Sequence, residues 1–155
     1  GNPGEARAEH HILSAIFARQ VLTEEGWAEE RIQAVEHCIR AHRFRNKGEK
    51  PQTIEAQVLF DADKLDVLGA IGAARTIAYA ALDGQPSYAE PSQQFLETGV
   101  KQPGEPHSSY HEYLFKLRRV KELLFTHTGK QIAEQRDAFL RAFYEQLQAE
   151  CHGER

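Results

Sequence analysis

The chain has 155 residues, 41% of them hydrophobic and 27% charged, with a formal net charge of −4. That is one domain's worth of chain at the usual ~100–200 residues per domain, and the composition excludes a disordered or collagen-like polymer. No apolar run approaches the roughly 20 residues of a membrane span, the polar opening GNPGEARAEHH does not read as a signal peptide, and the net acidity argues against non-specific nucleic-acid binding. Cys38 and Cys151 are too few for a disulfide framework or a structural zinc site, so they read as reduced thiols of a cytoplasmic protein. The sequence has no methionine and opens Gly1-Asn2-Pro3-Gly4, from which we expect a start inside a longer natural chain.

Apolar periodicity predicts an all-α fold of five or six helices. Ile12, Leu13, Ala15, Ile16, Phe17 and Val21 fall on one face of a helix near 8–23, with Gly26 as its stop. Ile32, Val35 and Ile39 mark a second helix near 28–42. A loop follows, with Gly48 and Pro51 as breakers. Thr53 is a fair N-cap for a helix to about Leu68, with Val58, Ala62 and Leu65 as its inward stripe. Near 70–82 runs a small-residue helix in which Gly69 and Gly72 imply a close packing partner. The stretch 84–106 holds four of the six prolines and reads as an irregular, mobile excursion. Ser109 with Glu112, and Thr128 with Gln131, read as capping boxes for the last two helices. Tyr110, Leu114, Leu117 and Leu124 face inward on the first of these, and Ile132, Phe139, Phe143 and Leu147 on the second. That last helix is core or a homodimer face.

Three groups of residues could carry chemistry. Eight histidines are many for this length, and imidazole is the commonest metal ligand. His37 and His42, five apart, project about 140° from each other on one helix and cannot share an ion there. Phe60-Asp61-Ala62-Asp63-Lys64-Leu65-Asp66 places three acids against an apolar stripe. Hard divalent ions want such oxygens, but the spacing equally fits a solvated face with Asp61 pairing Lys64. Arg40, Arg43, Arg45, Lys47 and Lys50 crowd a helix C-terminus, where cations are favourable in any case. Arg43 or Arg45 could also grip a phosphate bidentately. No phosphate loop or nucleophile elbow occurs.

The strings IQAVEHCIRAHRF and TIEAQVLFDADKLDVLGAIGAAR resemble the HD-domain superfamily of metal-dependent phosphohydrolases, in particular its small stand-alone bacterial members. KLRRVKELLFTHTGKQIAEQRDAFLRAFYEQLQAE is similar to the C-terminal helices of that subgroup, so the resemblance covers nearly the whole chain as a single domain. It implies an all-α fold around a divalent ion, Mn²⁺ or Mg²⁺, that hydrolyses a small phosphorylated molecule, plausibly a nucleotide. Asp63, in Ala62-Asp63-Lys64-Leu65, matches the family's distal metal-binding aspartate, and Asp61 is left a supporting role. His10 and His42 match the positions of second-metal histidines, with His11 as the substitute for His10. Lys64, Arg43 and Arg45 would neutralise phosphate charge, and Asp66 would orient a ligand or water. No His-Asp dipeptide occurs in the sequence. The family's first histidine and its dyad would therefore precede Gly1, on an N-terminal helical segment absent from this chain, so the chain as given is expected to bind metal poorly and to be inactive. The alternative is a catalytically inactive nucleotide-binding or regulatory module on the same fold.

Overall fold

In the computed structural model, residues 6–43 and 48–154 are described, the side chains from Glu9 onward. They form seven α-helices and one 3₁₀ helix, with no strand among the described residues. The helices are α1 (Ala6–Glu24), α2 (Glu29–Ala41), α3 (Ile54–Leu65), α4 (Gly69–Leu82), α5 (Gln93–Thr98), α6 (Ser109–Phe115) and α7 (His127–Cys151); the 3₁₀ helix, Leu117–Leu123, lies between α6 and α7. The chain divides into two compact units, Gly1–Asp63 and Lys64–Arg155.

In the first unit α1 and α2 pack on each other. Gly26 ends α1 as expected. Its φ is +75°, and the bonds Gly26 N–H to Thr23 O and Trp27 N–H to Leu22 O, 3.0 and 2.9 Å, are those of a Schellman cap. The helix pair is pinned by charge. Arg19 donates to both carboxylate oxygens of Glu29, at 3.0 and 2.9 Å, and to Glu36 at 2.5 Å. Glu36 is nearly buried, and a buried carboxylate is tolerated when it meets such a cation; the guanidinium holds its carboxyl below the usual range.

The apolar face of α1 is not core. Ala15 is buried, but Leu13, Ile16 and Phe17 are 52%, 60% and 67% exposed. On α3 the expected stripe is covered only at its end, where Leu65 is partly buried. Ala56, Phe60 and Asp61 are buried, whereas Val58, Ala62 and Asp63 are exposed. Periodicity identifies an apolar stripe but not which neighbour is there to cover it.

The second unit has the larger core. Leu68, Ala73, Tyr110, Tyr113, Leu117, Val120, Leu124, Ala133, Leu140 and Tyr144 form one buried cluster, with α7 packed on α4 and on the 3₁₀ helix. On α7 the fully buried positions are Ala133, Leu140 and Tyr144; of the expected set, Phe143 and Leu147 are partly buried against this core, whereas Ile132 is exposed and Phe139 half exposed. The caps are shifted too. Ser108, not Ser109, accepts from His111 N–H at the start of α6, and Thr126, not Thr128, accepts from Gly129 N–H at the start of α7. Ser109 instead donates to Ser87 O at 2.6 Å.

The glycines of α4 make the close approaches that their position implied. The Arg136 stem lies against Gly69, 3.2 Å from where a Cβ would sit, and a Cβ at Gly72 would overlap the Val67 carbonyl. Gly72→Ala is therefore expected to destabilise the chain by roughly 1–3 kcal/mol through overpacking, read from the urea midpoint. An unchanged midpoint would show that the 66–68 turn can yield.

The 84–106 stretch is anchored rather than a free flap. It contains α5, whose Phe95 is buried. Glu105 folds back to accept from Ser92 N–H, Ser92 Oγ and Gln102 N–H, each at 2.7 Å.

Candidate functional site

The best-defined cluster in the first unit lies where the start of α1 meets the end of α2. The Nε2 atoms of His10 and His42 stand 3.3 Å apart. Their rings meet edge to face at 5.4 Å, and the rings of His10 and His11 at 5.7 Å. His42 Nδ1 lies 2.5 Å from Ile39 O. A carbonyl can only accept, so this contact places the proton on Nδ1 and turns the Nε2 lone pair outward, the arrangement of a metal-ligating imidazole. The His11 ring is held below its usual pKa first by burial, then by Arg43, His10 and His42, with Glu9 opposing. Its Nδ1 is buried without a hydrogen bond.

The remaining histidine of this unit does structural work. His37 accepts Gln52 N–H at Nε2, 3.1 Å, so its Nδ1 donates to Glu49 at 2.5 Å. Arg40 reaches the same carboxylate at 2.7 Å. This network ties the segment after residue 48 to α2, and it keeps His37 apart from His42, as their spacing requires.

Two donors on one first-row ion at about 2.0–2.1 Å each are a little over 3 Å apart in tetrahedral geometry, so the His10–His42 pair fits part of a divalent site. No group of three or more His, Cys, Asp or Glu side chains able to hold an ion occurs among the described residues.

Comparison with known proteins gives the family. The HD domain family model matches residues 2–68, which contain His10, His42 and Asp63. The uncharacterised protein YpgQ of Bacillus subtilis (strain 168) is 31% identical over 131 residues, 83% of this chain and 57% of YpgQ.

The chain is an HD-domain protein. Its fold is that of HD-superfamily hydrolases. A crystal structure of such a hydrolase from Bacillus thuringiensis superposes with a TM-score of 0.61 at 30% identity, over 86% of this chain and 60% of that one. B. subtilis YpgQ in complex with ADP superposes with a TM-score of 0.65 at 26% identity, over 88% and 63%. The chain thus spans about three fifths of the length of these relatives.

Within this HD-domain chain the expected site residues divide. His10 and His42 come together, with His11 and Arg43 beside them. Asp63 is exposed on α3, as the last residue of the first unit. Asp61, expected only in support, is the buried carboxylate, 3% exposed. Lys64 is partly exposed. Asp66 is ion-paired with Arg75, which also donates to the Asp66 carbonyl at 3.3 Å, so its carboxylate is engaged within the second unit. Arg45 lies outside the described residues.

A second polar cluster was missed by sequence reasoning. His111 is fully buried and its Nε2 lies 3.1 Å from Glu105. The carboxylate accepts that N–H, so Nδ1 accepts from Ser108 Oγ at 2.7 Å. The order Ser–His–Glu is that of a nucleophile relay, but Ser108 has no exposed surface, so no substrate reaches it. The relay works as a staple from the N-terminus of α6 to the 84–106 stretch. The signal in the sequence was faint: Ser108-x-x-His111 after Glu105, where a Ser109-x-x-Glu112 box was the stronger pattern.

Proposed function

We propose that this HD-domain protein is a metal-dependent phosphohydrolase acting on a phosphate ester or anhydride, with a nucleotide as the favoured substrate. The observation that carries the reading is the His10–His42 pair, 3.3 Å apart with the His42 tautomer fixed by Ile39 O. Membership of the HD family supports it, and so does the ADP complex of YpgQ as a pointer to the ligand class. His10 and His42 would hold the cation, and Asp63 would supply an oxygen donor. Mn²⁺ fits an imidazole-rich set better than Mg²⁺. Such an ion, when bound, supplies Lewis acidity toward a phosphoryl oxygen and lowers the pKa of water. Arg43, Arg45 and Lys64 would neutralise phosphate charge. Asp66 would act on the site only after leaving Arg75.

A second reading is kept because only two imidazoles converge among the described residues. It is a nucleotide-binding module on the same fold without turnover.

The test is metal content by plasma mass spectrometry after Mn²⁺ is supplied, for the whole protein and its His42→Ala and Asp63→Asn variants, beside release of phosphate from nucleotides. The expected result is bound metal in the whole protein and loss of both metal and turnover in the variants, with kcat/KM down about 100-fold or more, since even supporting residues of metal sites give 10–100-fold. ADP binding without metal or turnover would favour the module. Neither metal nor nucleotide binding would refute both readings.

A further inference from the structure

The second unit carries a cleft of about 220 Å³ between α5 and the start of the 3₁₀ helix. Its walls include Leu96, Glu97 and Gly99 on one side and Phe115, Arg118 and Arg119 on the other. The volume is below the roughly 300–1,000 Å³ of sites for drug-sized ligands, so it suits a small molecule.

Three observations distinguish this cleft from ordinary surface relief. The first is charge. Residues 116–121 carry four cations in a chain whose net charge is −4. Lys116 is bound to Glu112 at 2.6 Å, and Lys121 to Asp137 and Glu134 at 3.0 and 3.3 Å. Arg118 and Arg119 have no hydrogen bond or ion pair from their guanidinium groups among the described residues, and both line the cleft. The second is backbone. The 3₁₀ helix that carries them runs seven residues, whereas runs beyond 3–4 are uncommon. The third is the floor. Gly99 has φ +73°, and a Cβ there would overlap the Phe115 ring, so the absence of a side chain lets the two walls meet at the base. Above it Leu96 and Phe115 remain about half exposed.

We propose that this cleft is a second ligand site, for a small organic phosphate whose phosphoryl group is held by Arg118 and Arg119 and whose flat apolar part lies on Phe115 and Leu96. Two unpaired guanidinium groups match a phosphate dianion and can bind it through paired N–H donors. Glu97 on the facing wall repels an anion, so it fixes the polarity of the ligand, with the phosphate toward the 3₁₀ helix. Glu97 Oε1 already accepts from Gln93 at 2.7 Å, which leaves Oε2 to accept a donor on the ring. This site is independent of the proposed hydrolase function, because none of its residues belongs to the His10–His42 cluster.

The experiment is calorimetric titration of the whole chain with phenyl phosphate, beside inorganic phosphate and phenol as the separated head and ring. The expected result is saturable binding of phenyl phosphate that is at least about tenfold tighter than either part. It should weaken at least about tenfold in Arg118→Gln/Arg119→Gln, since charge-assisted hydrogen bonds are the strong ones. Both arginines are exposed, so this variant is expected to fold, which circular dichroism checks. Binding should persist in His42→Ala, which separates the cleft from the candidate metal site. No saturable binding, equal affinity in the double variant, loss in His42→Ala, or inorganic phosphate binding as tightly as the ester would each overturn the proposal.

Discussion

Tyr144→Ala is expected to lower the unfolding free energy by about 3–5 kcal/mol, the range for deleting a buried aromatic ring. Tyr144 has no exposed surface. Its ring stacks on Tyr113 with centroids 4.5 Å apart and planes 14° apart, and Phe143 meets it edge-on at 5.2 Å. It joins α7 to α6 at the centre of the larger core, so truncation opens a cavity that two packed helices cannot close. Tyr144→Phe separates ring from hydroxyl. The Tyr144 hydroxyl is buried without a hydrogen bond. The hydroxyls of Ser109 and Thr76 stand near it; they donate to Ser87 O and Gly72 O and so offer it only acceptor lone pairs. Its loss is therefore expected to change stability by no more than about 1 kcal/mol. Urea unfolding of both variants gives the two numbers. A large loss in Tyr144→Phe would mean that the hydroxyl is bonded after all.

The second large effect lies in the Glu105–His111–Ser108 staple. His111→Ala removes a fully buried ring, which packs on Phe95 at 4.6 Å, and strands Ser108 and Glu105. A loss of about 2–4 kcal/mol is expected. The staple also has a pH signature. The Glu105 carboxyl is held down at about 2, chiefly by Ser92 N–H, then by Gln102 N–H, Ser92 Oγ and His111, with burial opposing. A carboxyl lowered in the folded state adds stability that is complete above its unfolded pKa, near 4.5, and is drained as pH falls toward 2. Wild type should thus lose stability through this window. Glu105→Gln should start lower at neutral pH and lose less, so the two urea midpoints converge near pH 2. A gap of constant size from pH 6 to pH 2.5 would show that Glu105 does not titrate in this way.

The long helices were legible in the chain because each carries local signals (apolar period, breakers and the Gly26 stop), whereas the six-residue α5 and the 3₁₀ helix after α6 are too short to show a period of their own. The caps were legible only to within one or two residues. Serine and threonine recur beside the true cap, and the choice of Ser108 over Ser109 depends on a partner, Ser87, far away in sequence. Inward faces were harder. On α7 two adjacent stripes are apolar, one through Ile132 and Phe139 and one through Ala133, Leu140 and Tyr144, and the second is selected by what α4 and the 3₁₀ helix offer.

For the candidate site, the sequence by itself determined the all-α class, the HD-family strings and the candidates His10, His42 and Asp63, because these reside in residue order alone. It also determined that His37 and His42 could not share an ion while both stand on one helix, which is a matter of helical pitch. Only the tertiary structure decided that His10 meets His42 across 32 residues of chain at 3.3 Å, that Asp61 rather than Asp63 is buried, and that Glu105 fastens the 84–106 stretch. These depend on contacts between elements distant in sequence. Local periodicity records which side chains prefer burial or a charge partner, and only packing says which of them find one.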